Sequence, residues 1–375
     1  MAYRFRRLAK VAARSAARPE ARLAAALFQA LALALSCPLQ SSAQGRDGAK
    51  QAWFSGVDPV VQGDRHVDAP KDYMDLFKPG APWAVGAAGT TAFKISTQLV
   101  LRGTDDQLRT VFEGLRQRHI GLAIELGVLV NSEACGKGTE GFGSPPAVET
   151  VAKRIKSLGG QLDYIAMDEP VTWGHAKQGK NKLGYAYCQY SIDQLADQAA
   201  AKALILKRYF PDIRIGEIDA VNSRLPGLVG AEIGFLDAFH KKSGLKPEFF
   251  HADVAWDSDW RPGLEDLANR LRQRGIRFGV VCDGDLNPPS DAQWVARSLE
   301  RCRMLASDPK TAPDDFVIQT WTAWPHRMLP ESDPSAWSYA LKATVTTLRR
   351  AQSAASSPKA GDGPDRGRAP TNPDR

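Results

Sequence analysis

The chain has 375 residues, of which 43% are apolar and 24% charged. That composition builds a globular core and excludes a disordered or collagen-like chain. The formal charge of +7 is a property of the N-terminus: residues 1–43 hold seven Lys/Arg and one acid, leaving 42 bases against 41 acids in the rest. A near-neutral body gives no reason to expect a nucleic-acid or anionic-membrane partner.

The first element is a leader. A basic stretch precedes the apolar run Leu23–Leu35, and Ser41-Ser42-Ala43 supplies small residues before Gln44. This is the order of a secretory signal peptide over residues 1–43. The apolar run, about 13 residues, is too short to span a hydrocarbon core of about 30 Å. The expected location is secreted or periplasmic, with no membrane attachment once the leader is removed. Beyond it lie Cys135, Cys188, Cys282 and Cys302, an even set that permits two disulfides in an exported chain.

Eight apolar segments with extended or alternating character follow: Trp53–Val60, Ala92–Val100, Gly121–Val130, Leu162–Met167, Ile213–Ile218, Glu248–Trp256, Arg277–Cys282 and Phe316–Trp324. Helical patterns separate most of them, over Asp105–Arg118, Ala147–Leu158, Ile192–Tyr209, Leu264–Arg274 and Ala292–Leu305, with Ala336–Arg350 after the last. Ser191, Asp291 and Ser335 suit N-caps. Alternation of this kind predicts a parallel sheet with helical crossovers. Eight units predict an α/β fold, a single (β/α)8 barrel over residues 44–351. A doubly wound open sheet is the rival, but Gly56-Val57-Asp58-Pro59 after the first strand lacks the glycine-rich phosphate turn. Residues 352–375, rich in Ser, Pro, Gly, Asp and Arg, read as a disordered tail.

Alternate residues of a barrel strand point inward. Counting back from each strand end gives an inward set. It comprises Asp58; Lys94, Ser96 and Gln98; Glu125; Asp168 and Glu169; Glu217 and Asp219; His251, Asp253 and Asp257; Asp283 and Asp285; Gln319 and Trp321. A purely structural barrel fills these layers with Val, Ile and Leu, and buried ionisable groups are costly unless paired or hydrated. The set therefore marks a site at the barrel mouth. Trp173, Trp260, Trp321 and Trp324 offer flat faces for sugar rings, whereas Trp256 falls outward by parity and reads as core. The glycine-rich loop Cys135–Gly143 lacks the spacing of a P-loop, and its Glu140 is within reach of the mouth. A Cys135–Cys188 bridge would tie that loop to the one after strand four. Cys282 and Cys302 share the sheet–helix layer, either bonded or simply packed.

The end of strand four, Tyr164-Ile165-Ala166-Met167-Asp168-Glu169-Pro170, resembles the Asn-Glu-Pro strand end of retaining clan A glycoside hydrolases. The resemblance implies a barrel over about residues 50–350, with Glu169 as acid/base and Asp168 in the Asn position. It departs at strand seven, where the clan places a nucleophilic Glu and this chain reads Val281-Cys282-Asp283-Gly284-Asp285.

The expectation is an exported hydrolase that cleaves an oligo- or polysaccharide by carboxylate chemistry. Its catalytic candidates are Glu169, Glu217 and Asp283. Its binding candidates are Asp58, Lys94, Glu125, Asp168, Asp219, His251, Asp253, Gln319 and Trp321. No cofactor or metal is expected, and the partner is carbohydrate met by a monomer. Two other readings stand. One is a non-catalytic carbohydrate-binding barrel. The other is a lyase or isomerase holding a divalent metal on Glu125, Asp168 and Glu217, although no HxH or HExxH motif occurs. The absence of a GxSxG elbow speaks against a serine hydrolase.

Overall fold

The computed structural model describes residues 49–61 and 70–356. The expected leader and residues 357–375 of the expected tail lie outside the described residues.

Eight parallel strands close into a barrel in sequence order: β1 Gln51–Ser55, β2 Thr90–Ser96, β3 Gly121–Leu126, β4 Tyr164–Asp168, β5 Arg214–Val221, β6 Phe249–Val254, β7 Arg277–Cys282 and β8 Asp315–Ile318. β8 returns to pair with β1, with Trp53 opposite Val317. Around it lie α1 Asp105–Gln117, α2 Ala147–Ser157, α3 Ile192–Tyr209, α4 Leu228–Ser243, α5 Arg261–Gln273, α6 Asp291–Ser307 and α7 Trp337–Ser356. All eight expected strands form. Several stop earlier than their apolar patterns do. Thr97–Arg102 turns helical, with Ser96 capping it. Leu129–Val130 leaves the barrel to pair with Phe142–Gly143.

Local sequence explains the helix starts. Thr104 and Gln107 form a reciprocal capping box on α1, as Ser191 and Gln194 do on α3. Ser290, one residue before the expected Asp291, caps α6. Helix α4 had no counterpart in the sequence pattern. Its apolar face is interrupted by Glu232, which is buried, and Gly230 and Gly234 break its period. Helix α7 runs to Ser356, so the expected tail begins inside a helix.

The core divides by strand parity. Phe93, Ile124, Ile165, Met167 and Ile215 face the helices. Inside the barrel, Trp53 packs against Tyr164 at 4.7 Å, Phe249 at 5.0 Å and His251 at 4.6 Å. This aromatic plug fills the interior below the mouth. Both disulfides form, Cys135–Cys188 with Cα atoms 5.0 Å apart and Cys282–Cys302 with Cα atoms 5.7 Å apart.

Candidate active site

Above the aromatic plug, at the C-terminal ends of the strands, two cavities of about 870 Å³ and about 650 Å³ open side by side. Active sites of such barrels lie at this end. The cavities share a wall made of Glu125, Glu140, Asp168, Trp173, Gln319 and Trp321. Glu169, Asp253 and Asp283 line the larger one, while Asp58, Lys94 and Ser96 line the smaller.

On the β2–β3–β8 side of the mouth the acid meets a cation. Lys94, wholly buried, places its Nζ 2.5 Å from Glu125 Oε1, and Gln319 Nε2 donates to the same oxygen at 2.6 Å. Burial works to raise the Glu125 carboxyl, but Lys94 and these hydrogen bonds outweigh it and hold the group below the usual range. Asp58 accepts hydrogen bonds from the amides of Val60 and Val61 and from the Ser96 hydroxyl.

The β4–β6 side is different. Burial first, then repulsion from Asp219, Asp253, Glu140 and Asp168, pushes Glu169 well above the ordinary carboxylate range. Asp168 and Asp253 are raised well above theirs by the same causes. Glu169 sits at φ 43°, in the left-handed region that side-chain-bearing residues seldom occupy. Several contacts hold it there. Its amide donates to the Ile218 carbonyl at 2.9 Å, its carbonyl accepts from the Trp173 amide at 3.1 Å, and its carboxylate accepts from the Trp173 indole. Gly141 explains the glycine-rich loop: at φ 78°, any Cβ there would lie 2.5 Å from the Asp168 carbonyl oxygen. The loop thereby packs against the end of β4 and brings Glu140 into the wall.

Asp283 is intermediate. Burial raises it to about 6 against the opposing pull of Arg301 and the Trp256 indole. Arg301 Nη1 lies 3.3 Å from its Oδ1 and Trp256 Nε1 donates to the same oxygen at 2.7 Å. The Arg301 guanidinium also stacks 4.7 Å over the Trp256 ring. As parity predicts, Trp256 packs against the helix-side core of β5, β6, α4 and α5, and its partly buried ring reaches the mouth as well. Trp256 and Trp260 both line the larger cavity, whereas Trp324 packs on the helix-side core. Arg301 was not anticipated; its place on α6, i+4 from Arg297, was the available clue.

Three placements correct the sequence reading. Glu217 and Asp219 do not enter the mouth. On β5 it is Ile218 that faces inward, opposite His251, so its two neighbours face the helix layer. The strand runs to Val221, three residues beyond the pattern end from which parity was counted. This also dissolves the expected metal set of Glu125, Asp168 and Glu217, since Glu217 lies on the other face of the sheet. His251 points inward but below the mouth, against Trp53, and lines neither cavity. Burial lowers it to about 4, so it is neutral at physiological pH. Asp257 and Asp285 sit at the exposed rim, paired with Arg224 and with Arg297 and Arg301.

Asp219 serves Glu169 from outside the barrel. Its Oδ2 accepts from the amides of Val171 at 2.9 Å and Thr172 at 3.2 Å, and its Oδ1 from Ala220 at 2.7 Å. It thereby pins the turn that follows Glu169-Pro170.

No family model matches the chain, and no curated protein matches it. Among solved structures it is similar to a GH10 endoxylanase from a sugarcane soil metagenome, at 12% identity over 80% of this chain and 97% of that one, TM-score 0.45. It is also similar to xylanase 10B from Thermotoga maritima, at 10% identity over 80% and 96%, TM-score 0.44. A third is the β-mannanase of the blue mussel Mytilus edulis, at 12% identity over 79% and 91%, TM-score 0.39. The barrel assignment rests on the strand pairing above, and the site on its own side chains.

Proposed function

We propose that the chain is an exported glycoside hydrolase that cleaves an oligo- or polysaccharide in the two-lobed mouth, acting as a monomer. The observation that carries this is the electrostatic split between Glu169, after β4, and Asp283, after β7, which line one cavity. Glycosidic cleavage needs one carboxyl that keeps its proton and one that carries charge. Glu169, raised by burial and neighbouring acids, keeps its proton and delivers it to the departing oxygen. Asp283, ionised above about 6 and steadied by Arg301, supplies negative charge to the oxocarbenium-like centre. Trp173, Trp256, Trp260 and Trp321 provide apolar faces around these polar groups, as sugar sites require. Glu125, Asp168, Asp253 and Gln319 are left to bind hydroxyl groups. Export rests on the leader at residues 1–43 and on the two disulfides. No helix among the described residues is long and apolar enough to cross a membrane.

The test incubates the chain and its Glu169→Gln variant with a panel of plant and bacterial polysaccharides, reading both reducing-end release and binding. Release by the native chain, lost by at least about 100-fold in the variant with binding kept, is the expected result. Binding by both with release by neither would make this a carbohydrate-binding barrel instead. Equal release by both would remove Glu169 from the chemistry.

A further inference from the structure

The two acids that β5 turns away from the mouth do not face solvent. Glu217 and Asp219 are wholly buried, and Glu232 of α4 is 1% exposed beside them. One carboxylate oxygen of each lies within 4.8 Å of the others. Both oxygens of Glu217 and both of Glu232 are buried, and among the described residues the two carboxyls meet no hydrogen-bonding group but each other. The nearest charges acting on this pair are other acids, Asp219 and, for Glu232, also Glu169. Such a group is costly in a sheet–helix core unless something neutralises it.

We propose that Glu217, Asp219 and Glu232 form a buried site for a hard divalent cation between β5 and α4. The ligand set is oxygen only, which selects Mg²⁺, Mn²⁺ or Ca²⁺ over softer metals. Oxygens no more than 4.8 Å apart can reach one ion together at about 2.0–2.6 Å each. Glu217 and Glu232 offer four oxygens without other duties. Asp219 spends lone pairs on the amides of Val171, Thr172 and Ala220 and has capacity for one more contact. An ion there joins three elements: the strand, the helix that no sequence pattern announced, and, through Asp219, the turn after Glu169. It also explains why α4 keeps an acid on a face whose other buried residues include Leu228, Ile233, Phe235 and Leu236. The site stands apart from the glycosidase reading and does not depend on it.

The experiment strips the full chain with a chelator and returns Mg²⁺, Mn²⁺ or Ca²⁺ singly at about 1 mM, with Na⁺ as control. Metal content after desalting and the melting temperature are measured. The expected result is about one equivalent of one of these ions and a rise in Tm of about 5 °C, both lost in Glu232→Gln and kept in Asp285→Asn, at the exposed rim. A crystal of the native chain grown with Mn²⁺ locates the ion without any variant, by an anomalous peak among the three carboxylates. No bound divalent ion and no change in Tm would overturn the proposal and leave protons shared by Glu217 and Glu232 as the neutralising charge. An ion that survives Glu232→Gln, or a peak elsewhere, would overturn it equally.

Discussion

The two sides of the barrel mouth solve the same problem in opposite ways. On the β2–β3–β8 side, Glu125 is met by Lys94 and Gln319 and stays ionised. On the β4–β6 side, Asp168, Glu169 and Asp253 are pushed toward the protonated form, first by burial and then by surrounding acids, with Glu140 and Asp219 acting on all three. The carboxyl groups are chemically alike, so the difference comes from which neighbour the fold supplies. A paired acid is a fixed binding charge, and a crowded acid is a proton donor.

The strongest way to break the contrast is to remove the cation. Lys94→Met leaves Glu125 charged in the mouth beside three other acids. The expected loss is about 3 kcal/mol of stability, read as a lower denaturant midpoint with an unchanged slope. A variant as stable as the native chain would mean that Lys94 does not neutralise Glu125.

The next largest effect sharpens the contrast at Asp283, which stands between the two extremes. Arg301→Met makes it a crowded acid. Its titration, about 6 in the native chain, is expected to move up by about one unit. The acid limb of the rate profile should follow, since Asp283 must be charged to act. An acid limb that stays near pH 6 would assign that limb to another group.

The smallest effect is global. A carboxyl raised on folding binds its proton more tightly in the folded chain. Its stabilising contribution is full below the unfolded value of about 4 and is lost as pH rises through the folded value. Asp283 places that window between about pH 4 and about 6, and the more strongly raised mouth acids extend it upward. Glu125, held low, acts oppositely below about pH 4, and His251, held neutral down to about 4, acts oppositely from about pH 6.5 downward, but the raised acids outnumber them. Melting temperature should therefore rise slightly as pH falls from 7 to 5. A fall over that range would show that the paired acids dominate.

The barrel was legible because each strand is a short apolar run between turn residues and each long helix except α4 has a 3.6-residue stripe. Strand parity stayed legible where the pattern overran the strand by an even number of residues, as at Lys94, Glu125 and Asp253, whose strands end at Ser96, Leu126 and Val254 rather than at Val100, Val130 and Trp256. It failed at β5, where the apolar pattern stops at Ile218 but pairing to β6 continues to Val221, so a miscounted end reversed the face of Glu217 and Asp219. Helix α4 was invisible because a buried acid and two glycines erase its stripe. Arg301 and Glu232 come from helices 18 and 15 residues after the acids Asp283 and Glu217 that they meet, and local pattern does not report such contacts.

The central claim, that Glu169 is the proton donor, is tested most directly by varying the leaving group. Native chain and Glu169→Gln are compared on an unactivated oligosaccharide and on its dinitrophenyl glycoside, whose phenolate departs without a proton. The account predicts a loss of at least about 100-fold on the first and little loss on the second. Equal losses on both would contradict it, and would reassign Glu169 to holding the substrate.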